Sequence, residues 1–335
     1  MKVRPINDGR VAVELLDVDI RTIDWPQAQE IKKLFLQHQN ILIRNQSTET
    51  YDFGRFIHLM SGHIGNWLTC NWPGGDAYRF TEISEYPNPL QWKEPKSEFP
   101  VQRVTGQRVK GSYAGIFGDG FLKWHCNMNN PVHFDSVSLQ AIEGCEGNPT
   151  IFSNTAPAYE DMPVKLRDEI EKRFIKYTYD PTQWSFRHPI KQYVSIDTKH
   201  MYGVLKSHSG LSKGTWWSGD RLWPYEYYMW AVQQNQAGIK GFYYFMLNNP
   251  EMNDDEDGEL TEALSDWCFR DEYTYTHEWQ HGDIMLFDQL ICQHCRPHRE
   301  KEVLQQRVLH RYVFQSTPQE DILKKNYFDG KNSCS

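Results

Sequence analysis

Trp124-His125-Cys126-Asn127 is the first place in the chain where side-chain types and spacing could do chemistry. An imidazole and an amide two residues apart at the end of a strand point the same way and can reach one metal ion from one side. Far downstream, Gln293-His294 supplies a second imidazole, and Arg307 follows, four residues before Arg311. Two imidazoles and one carboxylate hold one face of Fe(II) and leave the other positions open for small-molecule chemistry. An arginine on the next strand can grip a dicarboxylate through a bidentate pair. The set departs from that facial triad at one point, because Asn127 stands in the carboxylate position. An amide oxygen can coordinate iron but is neutral, so such a site binds Fe(II) more weakly and leaves the metal with a higher effective charge.

Other groups compete for these roles. Asp135 offers a carboxylate in a second local H-x-D, His133-Phe134-Asp135, but it directly precedes a strand signal at Ser136. His281 and His298 compete with His294, and His298 lies in a charged loop. Cys292 and Cys295 form a C-x-x-C with no second pair to complete a zinc site. Asn253 to Gly258 opens like a calcium loop, yet Leu264 stands where the bidentate Glu is required, so it reads as a solvated acidic turn. Trp216, Trp217 and Trp223 either line a pocket or pack outside the core.

The elements that must position these residues are mostly short strands. A strand is predicted at Val11 to Leu15 and another at Asn40 to Arg44. Between them Asp24 caps a helix with Pro26 in its first turn, and Ile31, Leu34, Phe35 and His38 share one face. Residues 51 to 60 form a second helix with Phe53, Phe56, Ile57 and Met60 on one face. Residues 63 to 112, rich in Gly, Pro and Trp, read as long loops. Strands return at 136–142 and 150–152. A helix capped by Asp161 and Pro163 follows, with Leu166, Ile170 and Phe174 on its face. Residues 178 to 225 read as strand and loop. Later strands are predicted at 273–276, 283–287 and 308–314. The expected fold is mainly β with flanking α-helices, as a sandwich or jelly roll. One domain over 1–335 is expected, with a core at roughly 100–315, an N-terminal α/β portion at 1–62 and a polar tail at 316–335.

Composition excludes several classes. The 335 residues are 39% hydrophobic and 14% aromatic, enough for a sizeable β-rich core. The net charge of −8 leaves no basic footprint for nucleic acid. No apolar run approaches a membrane span, and the N-terminus has no signal-peptide pattern. Seven cysteines, an odd and scattered set, predict reduced thiols and a cytoplasmic location.

The motif order resembles the TauD/TfdA (taurine dioxygenase-like) family of Fe(II)/2-oxoglutarate-dependent oxygenases. The pieces are Ile41-Leu-Ile-Arg-Asn-Gln46, the helix Phe53 to Gly62, Gly115-Ile-Phe-Gly118, Trp124-His125, Gly147-Asn-Pro-Thr150 and Ala158-Tyr-Glu-Asp-Met-Pro163. Gly282-Asp283, Phe287-Asp288, His294 and then Arg307 with Arg311 complete them. The resemblance covers roughly residues 5 to 315. It implies a double-stranded β-helix (jelly-roll) core, with His125, Asn127 and His294 at the metal. The six-residue step from Asp288 selects His294, and the region of Asp135 begins the family's next strand. Arg307 and Thr150 would bind the distal carboxylate of 2-oxoglutarate, and Arg311 an anionic group of the substrate.

The implied activity is hydroxylation of a C–H bond of a small polar or anionic molecule with Fe(II), 2-oxoglutarate and O2. A halogenase is the first alternative, since relatives that halogenate lack the carboxylate, though Asn127 leaves little room for chloride. A ligand-binding descendant without catalysis is the second. No nucleic-acid or membrane partner is expected, and homo-oligomerisation is left open.

Overall fold

The computed structural model describes residues 1–61, 64–68, 79–82, 101–109, 112–113, 121–126, 135–171, 174–179, 225–242, 255–297, 306–314 and 316. The strands are β1 (Lys2–Ile6), β2 (Ala12–Leu16), β3 (Asn40–Ile43), β4 (Ile64–Leu68), β5 (Arg79–Glu82), β6 (Gln102–Thr105), β7 (Arg108–Val109), β8 (Ser112–Tyr113), β9 (Leu122–His125) and β10 (Ser136–Glu143). They continue as β11 (Thr150–Asn154), β12 (Phe174–Tyr179), β13 (Tyr225–Trp230), β14 (Val232–Gln234), β15 (Lys240–Phe242), β16 (Thr274–His277), β17 (Ile284–Asp288), β18 (Cys292–Arg296) and β19 (Val308–Phe314). The helices are α1 (Trp25–His38), α2 (Thr50–Ser61), α3 (Thr155–Glu160), α4 (Val164–Ile170) and α5 (Asp255–Cys268).

Two sheets face each other. The larger has the order β1-β2-β3-β17-β10-β19-β4-β5, with β6 also paired to β19, and the smaller has the order β16-β11-β18-β9. Alternation decides what each strand of the large sheet gives to either side. In β19 and the residue before it, Leu309 and Val313 join the inter-sheet core with Val137, Leu139, Met285 and Phe287. Tyr312 and Phe314 face the other way and pack with Phe35, Phe53 and Phe56 of α1 and α2. Arg307 and Arg311 therefore share the inter-sheet face with Leu309. Phe152 of the small sheet meets Phe287 of the large one edge-on, with ring centroids 5.2 Å apart. This is the jelly-roll core, with helices outside it.

Local signals explain the elements that were predicted. Asp24 caps α1 by accepting from the Gln27 backbone N–H, and the Gln27 side chain accepts from the Asp24 N–H, a reciprocal capping box. The Arg44-Asn-Gln46 turn meets the Gly282-Asp283 turn. Gln46 N–H donates to the Gly282 carbonyl at 2.9 Å, and Arg44 pairs with Asp283 at 2.7 Å. Gly282 has φ +77°, and a Cβ there would lie 2.6 Å from the Gln46 carbonyl oxygen, so only glycine fits.

Other expectations need correction. The stretch 63–112, read as loops, holds β4 to β8 among its described residues. β4 and β6 are specified by pairing with the distant β19, β5 pairs with β4, and β7 and β8 form a two-residue pair with each other. Asp161 closes α3 as its C-cap instead of capping the start of α4. Its carboxylate pairs with Arg10 at 2.7 Å and accepts from the Tyr273 hydroxyl at 3.0 Å, while α4 starts after Pro163 without a side-chain cap. Phe174 begins β12 rather than ending that helix. The acidic stretch read as a turn leads into α5, which begins at Asp255. Among the described residues, no helix is long and apolar enough to cross a membrane. Trp216, Trp217 and Trp223 lie outside the described residues.

Candidate active site

The two imidazoles predicted to share a metal stand side by side. β9 pairs with β18 in antiparallel register, with His294 opposite His125. Their ring centroids lie 4.3 Å apart at 45°, and both residues are buried. Trp124, one residue earlier and so on the opposite face, stacks on Phe269 at 4.2 Å and 2°. That stacking pins β9 from outside and turns His125 inward. His294 is held edge-on by Phe287 at 4.9 Å, with Phe152 at 6.0 Å. Burial, reinforced by His125, Arg311 and Arg307, pushes His294 well below the ordinary imidazole range. A neutral imidazole is the form that ligates a metal.

The spacing fits a shared ion. Two imidazoles bound at right angles through nitrogens about 2.1 Å from one metal would hold their centroids about 4.6 Å apart. Among the described residues no group of three His, Cys, Asp or Glu side chains converges. Asn127, His133 and His298 lie outside the described residues.

Beside the imidazoles is a concentration of buried guanidinium. Arg307 immediately precedes β19, and Arg311 lies within it opposite Leu139. Each is only 5% exposed, and burial pulls each guanidinium down to about 9. Arg296 adds its charge to Arg307, and the Nη1 of Arg307 makes no hydrogen bond among the described residues. A buried cation with an unsatisfied N–H is a receptor for an anion. Thr150 opens β11, buried, and its hydroxyl oxygen accepts from the indole N–H of Trp279 at 3.0 Å. Phe152 faces His294 across β11 and β18, so Thr150 and Arg296 come next along the same face.

The rival residues have other duties. His281 hydrogen-bonds the Ile142 carbonyl at 2.8 Å and is exposed. Asp135 starts β10's flank of the large sheet, and Ser316 donates to both of its oxygens, from the backbone N–H at 2.6 Å and the hydroxyl at 2.8 Å. Cys292 and Cys295 lie within β18 at a spacing that sends their sulfurs to opposite faces. Burial raises both thiols, Cys295 to about 12.

Asp135 has a consequence for stability. Burial and then the Asp135 charge raise the Asp288 carboxyl to about 7. The folded protein therefore holds a proton there that the unfolded chain loses near pH 4. Stability should fall as pH rises from about 4 to about 7 and stay lowered above that, by up to on the order of 3–4 kcal/mol. Asp288→Asn removes this dependence. Chemical denaturation at pH 5, 6, 7 and 8 should show the variant gaining on the parent up to about pH 7 and the difference levelling off by pH 8. A parallel pair of curves would contradict it.

Sequence reading missed two residues of this region. Arg296 could have been found by alternation, two positions after His294 on one strand. Trp279 carried no local signal, because its partner Thr150 is brought to it by the β11–β16 pairing.

This is a jelly roll whose inner face presents two apposed imidazoles beside buried arginines. The sequence profile described as "Taurine catabolism dioxygenase TauD, TfdA family" matches residues 2–313, and the chain belongs to that family. The family is Fe(II)- and 2-oxoglutarate-dependent. The chain is 21% identical over 196 residues to pentalenolactone F synthase of Streptomyces arenae, and 21% over 207 residues to an alpha-ketoglutarate-dependent sulfate ester dioxygenase of Pseudomonas putida. These stretches cover 56% and 60% of this chain, and only 60% and 62% of the two relatives. Two solved structures share the fold. AAD-2 in complex with Mn(II) and N-oxalylglycine aligns at TM-score 0.61 and 15% identity, over 93% of this chain and 97% of that one. A taurine dioxygenase from Burkholderia xenovorans aligns at 0.59 and 14%, over 93% and 90%.

Proposed function

We propose that this protein is an Fe(II)/2-oxoglutarate-dependent oxygenase that hydroxylates a C–H bond of a small anionic molecule. The observation that carries the reading is the 4.3 Å apposition of His125 and His294 beside the buried, unsatisfied Nη1 of Arg307. His125 and His294 hold the ferrous ion, and the sequence offers Asn127, with a neutral amide, as the third protein ligand. Bound together, Fe(II), 2-oxoglutarate and O2 supply the oxidising power: one oxygen atom goes to the substrate C–H and the other to succinate, with release of CO2.

The chain's own residues bind, orient and exclude water. Arg307 takes the distal carboxylate of 2-oxoglutarate through its fork, and Thr150 donates its hydroxyl to the same group. Phe152 and Phe287 wall the imidazole of His294 and keep it dry. Arg311, buried on the same face as Arg307, is assigned to an anionic group of the substrate. A guanidinium in that position favours a substrate carrying a carboxylate, sulfonate or sulfate. The sulfate ester named for the Pseudomonas relative falls in that class.

The test is succinate formation from 2-oxoglutarate in air, with and without Fe(II), across carboxylates, sulfonates, sulfate esters and amino acids. The reading predicts Fe(II)-dependent succinate, stimulated by an anionic compound that gains a hydroxyl. A chlorinated product in the presence of chloride would move the assignment to a halogenase. Ligand binding with no succinate above the metal-free control would make the protein a binder.

A further inference from the structure

We propose that Trp279 is a positioning residue for cosubstrate binding, which fixes the Thr150 hydroxyl as a hydrogen-bond donor to the distal carboxylate. The proposal rests on the reading of Thr150 given above. An indole N–H can only donate, whereas a threonine hydroxyl has one proton and two acceptor lone pairs. The Trp279 Nε1 lies 3.0 Å from Thr150 Oγ1, with both side chains buried, so one lone pair is taken. The Thr150 proton is then left to go to another acceptor. An incoming carboxylate is acceptor-only and matches that polarity.

The indole is itself held in place. His277 meets it edge-on, at 4.4 Å and 84°. The Tyr275 hydroxyl lies 2.9 Å from His277 Nδ1, and Asp283 lies 3.2 Å from its Nε2. Asp283 is paired with Arg44 at 2.7 Å and also accepts from the Gln280 backbone N–H at 3.0 Å. Thr150 and His277 are register partners on β11 and β16, and Trp279, two residues beyond the end of β16, packs on His277 and reaches Thr150. The Arg44-Asn-Gln46 and Gly282-Asp283 turns thus reach the cosubstrate pocket through one indole.

Calorimetry under anaerobic conditions, with the Fe(II)-loaded protein, reads the effect without turnover. Two ligands are compared: 2-oxoglutarate, and 2-oxopentanoate, which has the same keto-acid end and no distal carboxylate. Trp279→Phe should weaken 2-oxoglutarate about fivefold, the scale of one neutral hydrogen bond, and leave 2-oxopentanoate unchanged. Thr150→Val should weaken 2-oxoglutarate alone, and adding Trp279→Phe to it should cost nothing further. Equal weakening of both ligands by Trp279→Phe, or additive losses in the double variant, would reduce Trp279 to core packing and overturn the proposal. Full 2-oxoglutarate affinity in Thr150→Val would overturn the reading of Thr150 as well, a different failure. If Trp279→Phe does not fold, the indole N–H resonance displaced by Thr150→Val is followed in zinc-loaded native protein. It should respond to 2-oxoglutarate and not to 2-oxopentanoate, and the converse result overturns the proposal.

Discussion

His294→Ala should leave a folded protein that no longer retains Fe(II), with affinity at least about a hundredfold below the parent. Loss of residues that merely orient metal ligands costs 10–100-fold, and loss of a ligand costs more. The imidazole is buried against Phe287 and Phe152 and lies 4.3 Å from His125, so no solvent molecule can take its place with the same geometry. The side chain is also a disfavoured place for positive charge, since burial and the neighbouring arginines keep it neutral. Removing it creates a cavity but relieves no paired charge, so the cost in stability should be the few kcal/mol of a core truncation. Iron content after desalting, read beside thermal unfolding, checks both parts. Retention of stoichiometric iron by the folded variant would remove His294 from the site.

Arg307→Met should weaken 2-oxoglutarate on the order of a hundredfold, because truncating one partner of a buried charge pair costs 2–5 kcal/mol. The opposite effect is expected on the ligand-free protein. Burial holds this guanidinium down to about 9, against an ordinary value of 12.5, so at neutral pH its charge opposes folding. An apolar side chain of similar length removes that cost. The variant should therefore melt higher than the parent without ligand and gain less on adding 2-oxoglutarate. Arg307→Lys keeps the charge but loses the fork, and should fall between them. Melting curves with and without the cosubstrate carry the test. If both variants bound 2-oxoglutarate like the parent, the anchor would have to be another arginine, and Arg296, whose charge acts on Arg307, would be the next to test.

The sequence was most informative where structure is set by neighbours along the chain. The Asp24 cap with Pro26 in the first turn of α1, the apolar face of α2 and the strand at 308–314 were all legible, because each needs only local spacing. The site was legible in its parts, since imidazoles and arginines advertise their chemistry. What brings the parts together is not local. His125 and His294 meet through β9 lying beside β18, and Thr150 meets Trp279 through β11 lying beside β16. The short strands β4 and β6 were hidden for the same reason, as β19 supplies what their own composition lacks. Asp161 shows the reverse error. A residue with good capping chemistry was claimed by Arg10 and Tyr273, which pack against it from distant parts of the chain.

The most direct test of the shared metal site is an anaerobic titration of the protein with Fe(II) in the presence of 2-oxoglutarate, followed in the visible spectrum. The weak charge-transfer band of a keto acid chelated to ferrous iron should grow, level off at one iron per chain, and fail to form in His125→Ala and His294→Ala. A native protein that gives no band, or a band that survives loss of both imidazoles, would contradict the account.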